Sequence, residues 1–159
     1  MRLLRLQFLL VLTLLAPEAV HAASGSIKSY ALVRDDASLI MRSRVIRLFG
    51  IFIPEAGRVC DDRLLPVRCG TRAARALRSK IQGFIECLPQ ARFRDGSLSA
   101  ICYVDASSMR DPAIDLGAWL IQEGLAVAGP GAPFEYHTYE RIARAQDRGV
   151  WGFQVDRIR

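Results

Sequence analysis

Between Ser26 and Ile53 the chain is interrupted every few residues by turn-forming polar clusters, and this spacing limits the fold more than any other feature. Ile27, Tyr30, Leu32 and Val33 come first, then Leu39, Ile40 and Met41, then the run from Val45 to Ile51. Asp35 and Asp36 mark one interruption; Arg42, Ser43 and Arg44 mark the next. Apolar, β-branched runs of this length between turn residues predict a three-stranded meander.

Pro54 opens a polar stretch through Gly57, Asp61, Asp62 and Pro66 to Gly70, which reads as a long loop. Ala73, Ala74, Leu77 and Ile81 then recur at helical spacing, with Arg72, Arg75, Arg78 and Lys80 over much of the remaining surface. Gly83 ends that helix. Phe84 to Cys87 and Leu98 to Val104 predict two more strands around a turn at Asp95 and Gly96. A second helix is expected from Asp111, an N-cap followed by Pro112, through Leu116, Trp119, Leu120 and Ile121 to Gly124. A short apolar run from Leu125 to Ala128 follows, then a break at Gly129, Pro130 and Gly131, then a last helix from Phe134 to Arg148. The class is mainly β with α. Five strands with an intervening helix suit a five-stranded closed barrel of the OB type, with about three helices in all. No internal repeat or low-complexity linker divides the chain, so a single domain over 23–159 is expected.

The first residues have a different character. Arg2 and Arg5 precede an apolar run from about Phe8 to Ala16, Pro17 ends it, and Val20 and Ala22 supply small side chains for a signal peptidase. The run is too short to span a bilayer, so residues 1–22 read as a cleaved signal peptide rather than a transmembrane anchor, and the protein as exported to the periplasm or medium. Cleavage removes Arg2, Arg5 and Glu18 and lowers the formal charge from +6 to +5. It also removes His21 and leaves His137 as the only histidine, which excludes His-rich zinc sites and histidine relays. Cys60, Cys69, Cys87 and Cys102 all follow the cleavage point, and an even count in an exported chain argues for two disulfides. Three pairings are open. Local topology favours Cys60–Cys69 and Cys87–Cys102, each worth roughly 3 kcal/mol in the chain-entropy account.

The string from Arg47 to Glu55 places a guanidinium within a strand and a carboxylate just beyond it. Phosphodiester hydrolysis uses such a pair, a fixed cation on phosphate oxygens and a carboxylate base for water. A surface ion pair has the same spacing. The arginines of the first helix and the group Arg42, Arg44 and Arg47 fit a polyanion, and equally an ordinary solvated surface. Phe49, Phe52 and Phe93 fit either stacking surfaces or barrel filling.

From about Ala31 to Phe153 the chain resembles the staphylococcal nuclease (thermonuclease) family, in its exported four-cysteine bacterial form. Ile46, Arg47, Leu48, Gly50, Ile51, Pro54 and Glu55 match its Ile-Arg-Leu-Tyr-Gly-Ile-Asp-Ala-Pro-Glu strand. Cys69 and Gly70 with Ala73, Ala74 and Leu77 resemble its first helix, and Ala100 and Cys102 its Ala-x-Cys strand. Asp115, Leu116 and Gly117, then Gly124 and Ala126, resemble its Asp-Leu-Gly…Gly-Trp-Ala segment; Tyr136, Glu140, Ala143, Arg144, Gly149 and Trp151 resemble its ending.

The resemblance implies an OB barrel and, in active members, calcium-dependent hydrolysis of DNA and RNA by metal-binding aspartates, a glutamate base and two arginines on the phosphate. Arg47 falls on the first arginine and Glu55 on the glutamate. The remaining positions depart from the pattern: Phe52 stands at one metal aspartate, Ala37 at the other and Ser97 at the second arginine. A one-residue bulge would offer Asp36 in place of Ala37, whereas Arg94 lies three residues from Ser97. Calcium needs a shell of hard oxygens, and a lost oxyanion donor costs about 10²–10³ in rate. The expectation is therefore a catalytically impaired, secreted nuclease-like module with no metal site, binding a nucleic acid, another polyanion or a protein. The alternative is an active Ca²⁺-dependent endonuclease using Asp35, Asp36 and Glu55.

Overall fold

A computed structural model describes residues 25–54, 59–62, 65–104 and 113–152, and for 59–71 only the backbone. The expected leader, Glu55, Asp111 and Pro112, and the side chains of Cys60 and Cys69 lie outside the described residues. In chain order the elements are β1 (Ile27–Tyr30), β2 (Leu32–Val33), β3 (Leu39–Met41), β4 (Arg44–Leu48), β5 (Ile51–Phe52), β6 (Val59–Asp62) and β7 (Leu65–Arg68). Then come α1 (Cys69–Lys80), β8 (Phe84–Arg92), β9 (Leu98–Val104), β10 (Ile114–Asp115), α2 (Leu116–Gln122), β11 (Val127–Ala128), α3 (Phe134–Ala145) and a 3₁₀ turn, Gly149–Trp151.

The main sheet has the order β1-β8-β9-β4-β3-β2, with β10 added beside β9. Its first and last strands, β1 and β2, are one stretch of chain interrupted at Ala31, so the sheet begins and ends on the same segment. It curls into a nearly closed barrel, which removes the exposed edges an open sheet would carry. Arg42, in the turn between β3 and β4, donates from Nη2 to the Lys28 carbonyl on β1 at 2.9 Å and ties the two rims together. Neighbouring strands are antiparallel except β4 and β9, which run parallel with Ile46 opposite Leu98 and Arg47 opposite Ser99.

The mixed β-plus-α class and the three helices agree with expectation, and several boundaries do not. Seven strand segments form the main sheet instead of five, because the chain breaks at Ala31 and β10 adds to β9. The stretch read as a loop contains the ribbon β6–β7, with Val59 opposite Arg68 and Cys60 opposite Val67; the β-branched valines were masked by surrounding aspartates and Pro66. β8 runs on to Arg92 because the register shifts between Pro89 and Ala91, a bulge that accommodates a residue without an N–H. α2 starts at Leu116, not near Asp111. Asp115 caps it, its Oδ1 accepting from the Gly117 and Ala118 amides at 2.8 and 3.2 Å.

Burial follows from this wrapping. Along β4, Ile46 and Leu48 are buried while Arg47 faces out. At the start of β9, Leu98, Ser99 and Ala100 are all buried, as a strand covered on both faces requires. Ala73, Ala74 and Leu77 of α1 and Leu116, Leu120 and Ile121 of α2 close the core from outside the sheet. Tyr136 of α3 is fully buried and donates its hydroxyl to Asp115 Oδ2 at 2.7 Å, so one carboxylate caps α2 and anchors α3. Burial, and then this hydrogen bond, push the Tyr136 phenol well above its ordinary value.

Cys87 and Cys102 sit directly opposite each other on β8 and β9, with Cα atoms 4.0 Å apart, and form a disulfide. The pair encloses a separation of 15 residues, so replacing both cysteines by alanine is expected to cost about 3 kcal/mol. A urea titration reads this as a lower midpoint with a somewhat steeper slope, because the unbridged unfolded chain exposes more surface; an unmoved midpoint would show that the bridge does not hold the sheet.

Candidate functional site

Arg47 stands where the sequence leads us to expect the first phosphate-binding arginine, and its surroundings decide what it can do. The alternation of β4 turns it outward beside Ser99, and its side chain reaches the turn between β8 and β9. There Nη2 meets Asp95 Oδ2 at 2.9 Å, and the guanidinium carbon lies 5.0 Å from the centre of the Phe93 ring. Asp95 is itself held: its Oδ1 accepts from the Ser97 hydroxyl at 2.5 Å and from the Ser97 amide at 2.9 Å. These two bonds, with Arg47 adding to them, keep the exposed Asp95 carboxyl below its ordinary range. The position expected to lack the second arginine therefore carries a buried hydroxyl that fixes an acid, and that acid binds the first arginine.

The turn between β2 and β3 repeats this construction. Arg34 N donates to the Ser38 carbonyl as Phe93 N does to that of Ser97, and Ala37 N donates to Arg34 O as Gly96 N does to Phe93 O. Asp36 Oδ1 accepts from the Ser38 amide and hydroxyl at 3.0 and 2.6 Å. Partial burial works against the Asp36 charge, but Ser38 and Arg34 outweigh it and its pKa falls below the ordinary value. Ala37 takes the glycine-like place, with φ at +63°.

The two positions that the resemblance gives to metal aspartates carry no side-chain oxygen, and of the alternative set only Asp35 and Asp36 lie among the described residues. Ala37 is a buried methyl, and Phe52 is an exposed ring on β5, a strand paired with β11. Asp36 is committed to its own turn and Asp35 to Arg78, at 2.7 Å. No group of three His, Cys, Asp or Glu side chains suited to a cation occurs among the described residues. Glu55 lies outside them. Calcium takes six or more oxygens, and neither the Ala37 nor the Phe52 side chain can supply one.

The structure separates basic residues that looked like single clusters. Arg42 turns to Lys28 and Arg47 to Asp95. On α1, Arg78 is absorbed by Asp35 and the Val33 carbonyl, and Lys80 sits 5.2 Å over the Trp119 ring. Arg72 and Arg75 instead line an open groove with Arg148, a residue the sequence did not single out. Phe52 and Phe93 are exposed and Phe49 half-buried, so the three do not fill the barrel interior. His137 is exposed on α3, and Trp119 and Trp151 are half-buried. Glu140 is buried, accepting from the Ala128 amide at 2.8 Å and from Arg144; it holds β11 against α3.

Sequence reasoning missed the Asp95–Ser97 pair and its twin at Asp36–Ser38. The signal was present as two aspartates, each followed two residues later by serine, just ahead of a buried leucine. No family model matches the chain, and no curated protein matches it.

A depressed carboxyl pKa in the folded state has a defined sign. The contribution of charged Asp95 is complete above about pH 4, the ordinary carboxylate value, and fades as pH falls through its lower folded value. Ser97→Ala is expected to move the Asp95 midpoint upward in a carboxyl NMR titration and to free Arg47 at higher pH. An unmoved midpoint would mean that Ser97 does not hold the acid.

Proposed function

We propose that this protein is an exported, thermonuclease-like OB-fold module that binds a polyanion and has lost phosphodiester hydrolysis. The nuclease likeness rests on the motif residues themselves. The barrel reading draws support from a first strand that pairs at both ends of the sheet and from the parallel β4–β9 pair. Export is supported by the leader-like first residues and by the Cys87–Cys102 bridge, which suits an oxidising compartment.

The observation that carries the loss of catalysis is the chain of contacts from Ser97 through Asp95 to Arg47. A guanidinium that stabilises charge in a transition state is aimed at it in advance; this one is aimed at Asp95, an exposed carboxylate with which a phosphate would compete. With no side-chain carboxylate at Phe52 or Ala37, neither charge neutralisation nor positioning of a water remains in family form. Binding needs less. Guanidinium groups attract a polyanion without aligned catalytic partners, and OB barrels serve widely as such platforms. A protein partner is a second reading favoured by one feature: Tyr30 and Phe84 are exposed on β1 and β8, with ring centres 4.0 Å apart.

Fluorescence anisotropy of a labelled single strand of about 16 nucleotides, measured in EDTA, tests the proposal. Metal-independent binding that weakens steeply between about 50 and 200 mM salt is expected. If neither the strand nor heparin binds, the polyanion reading fails and the Tyr30–Phe84 surface becomes the site to pursue.

A further inference from the structure

The groove between α1 and the Gly149 turn has a volume of about 640 Å³ and is open to solvent. Arg72 and Arg75 contribute from α1, and Arg148 faces them from the segment joining α3 to the 3₁₀ turn. Among the described residues Glu123 is the one acid in the lining, and Ser79 adds a hydroxyl. Guanidiniums from two elements thus converge on one concavity, with Arg75 and Arg148 facing each other across it. A concave, one-signed surface concentrates its field and raises the local concentration of counter-ions.

The far wall is set by backbone geometry. Gly124 ends α2 with φ at +66° and Gly149 has φ at +54°. The two backbones lie against each other, with Val150 N donating to the Gly124 carbonyl at 2.8 Å, and a Cβ on either glycine would overlap the opposing chain. Arg148, the residue before Gly149, is further oriented by donation from Nη1 to the Gln122 carbonyl at 3.1 Å. Arg75 is exposed and forms no ion pair among the described residues, unlike its helix neighbour Arg78. This wall and these partners distinguish the groove from an ordinary solvated helix face.

We infer that the groove binds a linear chain of phosphate groups through Arg75 and Arg148, with Arg72 beside them. The inference rests on the polyanion reading above and assigns it to a site that shares no residue with the Arg47–Asp95 cluster. The forked guanidinium donates two parallel hydrogen bonds to a phosphate, a geometry that a point charge cannot reproduce. Among the described residues no aromatic side chain lines the groove, and its polar lining is suited to the anionic chain itself. A nucleic-acid backbone and inorganic polyphosphate share that chemistry.

The test compares the unaltered protein, the double variant Arg75→Ala with Arg148→Ala, and Arg141→Ala, each binding the labelled single strand. The double variant is expected to bind about tenfold more weakly at low salt, and the slope of log affinity against log salt to shrink by about 1.4, the equivalent of two phosphate contacts. Arg141→Ala, which removes an exposed arginine of α3 outside the groove, is expected to bind as the unaltered protein does. Near-ultraviolet dichroism of Trp119 and Trp151 checks folding, and Arg75→Lys with Arg148→Lys keeps the charge while removing the fork, so intermediate affinity is expected. Unlabelled polyphosphate that displaces the strand supports a general phosphate-chain site; failure to displace it restricts the site to nucleic acid. If the double variant binds as well as the unaltered protein, the groove assignment is overturned while the polyanion reading stands. If the unaltered protein binds nothing, the polyanion reading itself has failed. Displacement by heparin at concentrations where polyphosphate and unlabelled strand have no effect overturns the choice of phosphate.

Discussion

The parallel pairing of β4 on β9 is the constraint to which the other elements are registered. A parallel pair cannot be closed by a hairpin, so the chain must leave β4, cross over and return, and residues 49–97 make that crossing. The path carries α1 to the outside of the sheet and delivers β8 as the antiparallel partner of β9. β9 meets β8, β4 and β10, and through β10 it leads to Asp115, where one carboxylate both starts α2 and receives Tyr136 from α3. The Cys87–Cys102 bridge fastens the pair at the centre of this arrangement.

The same pairing determines what Arg47 can do. Standing opposite Ser99, it is within reach of the turn that begins β9, and that turn presents an aspartate. The hydroxyl of Ser97 orders the aspartate and favours its charged form, so the arginine is met by an acid already in place. A turn built on the same hydrogen bonds precedes β3, where Asp36 is likewise spent on its own serine. Acids and bases at this end of the molecule thus satisfy one another. Arg75 and Arg148 instead face each other across the groove beside α1, where Glu123 is the one acid among the described lining residues.

Much of the barrel was legible because its strands carry their own punctuation. The breaks at Asp35–Asp36, Arg42–Ser43 and Asp95–Gly96 fall between observed strands, and Cys87 and Cys102 were paired by their places on two adjacent ones. Where reading failed, a local signal was overridden from a distance. Asp111 and Pro112 have the local form of a helix start, but Asp115 has the hydrogen bonds, and Tyr136 that helps fix it comes from another helix. The strand expected over Phe84 to Cys87 in fact continues past Pro89, through a shift of register, to Arg92. Charge runs were the least informative: Arg72, Arg75, Arg78 and Lys80 share a helix, yet Arg78 is taken by Asp35 and Lys80 by Trp119. Arg148 joins Arg72 and Arg75 through the Gly124–Gly149 contact, which couples segments far apart in the chain.

The central claim is that a nuclease-like barrel persists here without the chemistry. Incubating a single-stranded DNA with purified protein in saturating Ca²⁺ and, in parallel, in EDTA measures this most directly. The account predicts that the strand stays intact at the same background rate in both. Calcium-dependent cleavage that disappears in Glu55→Ala would contradict it.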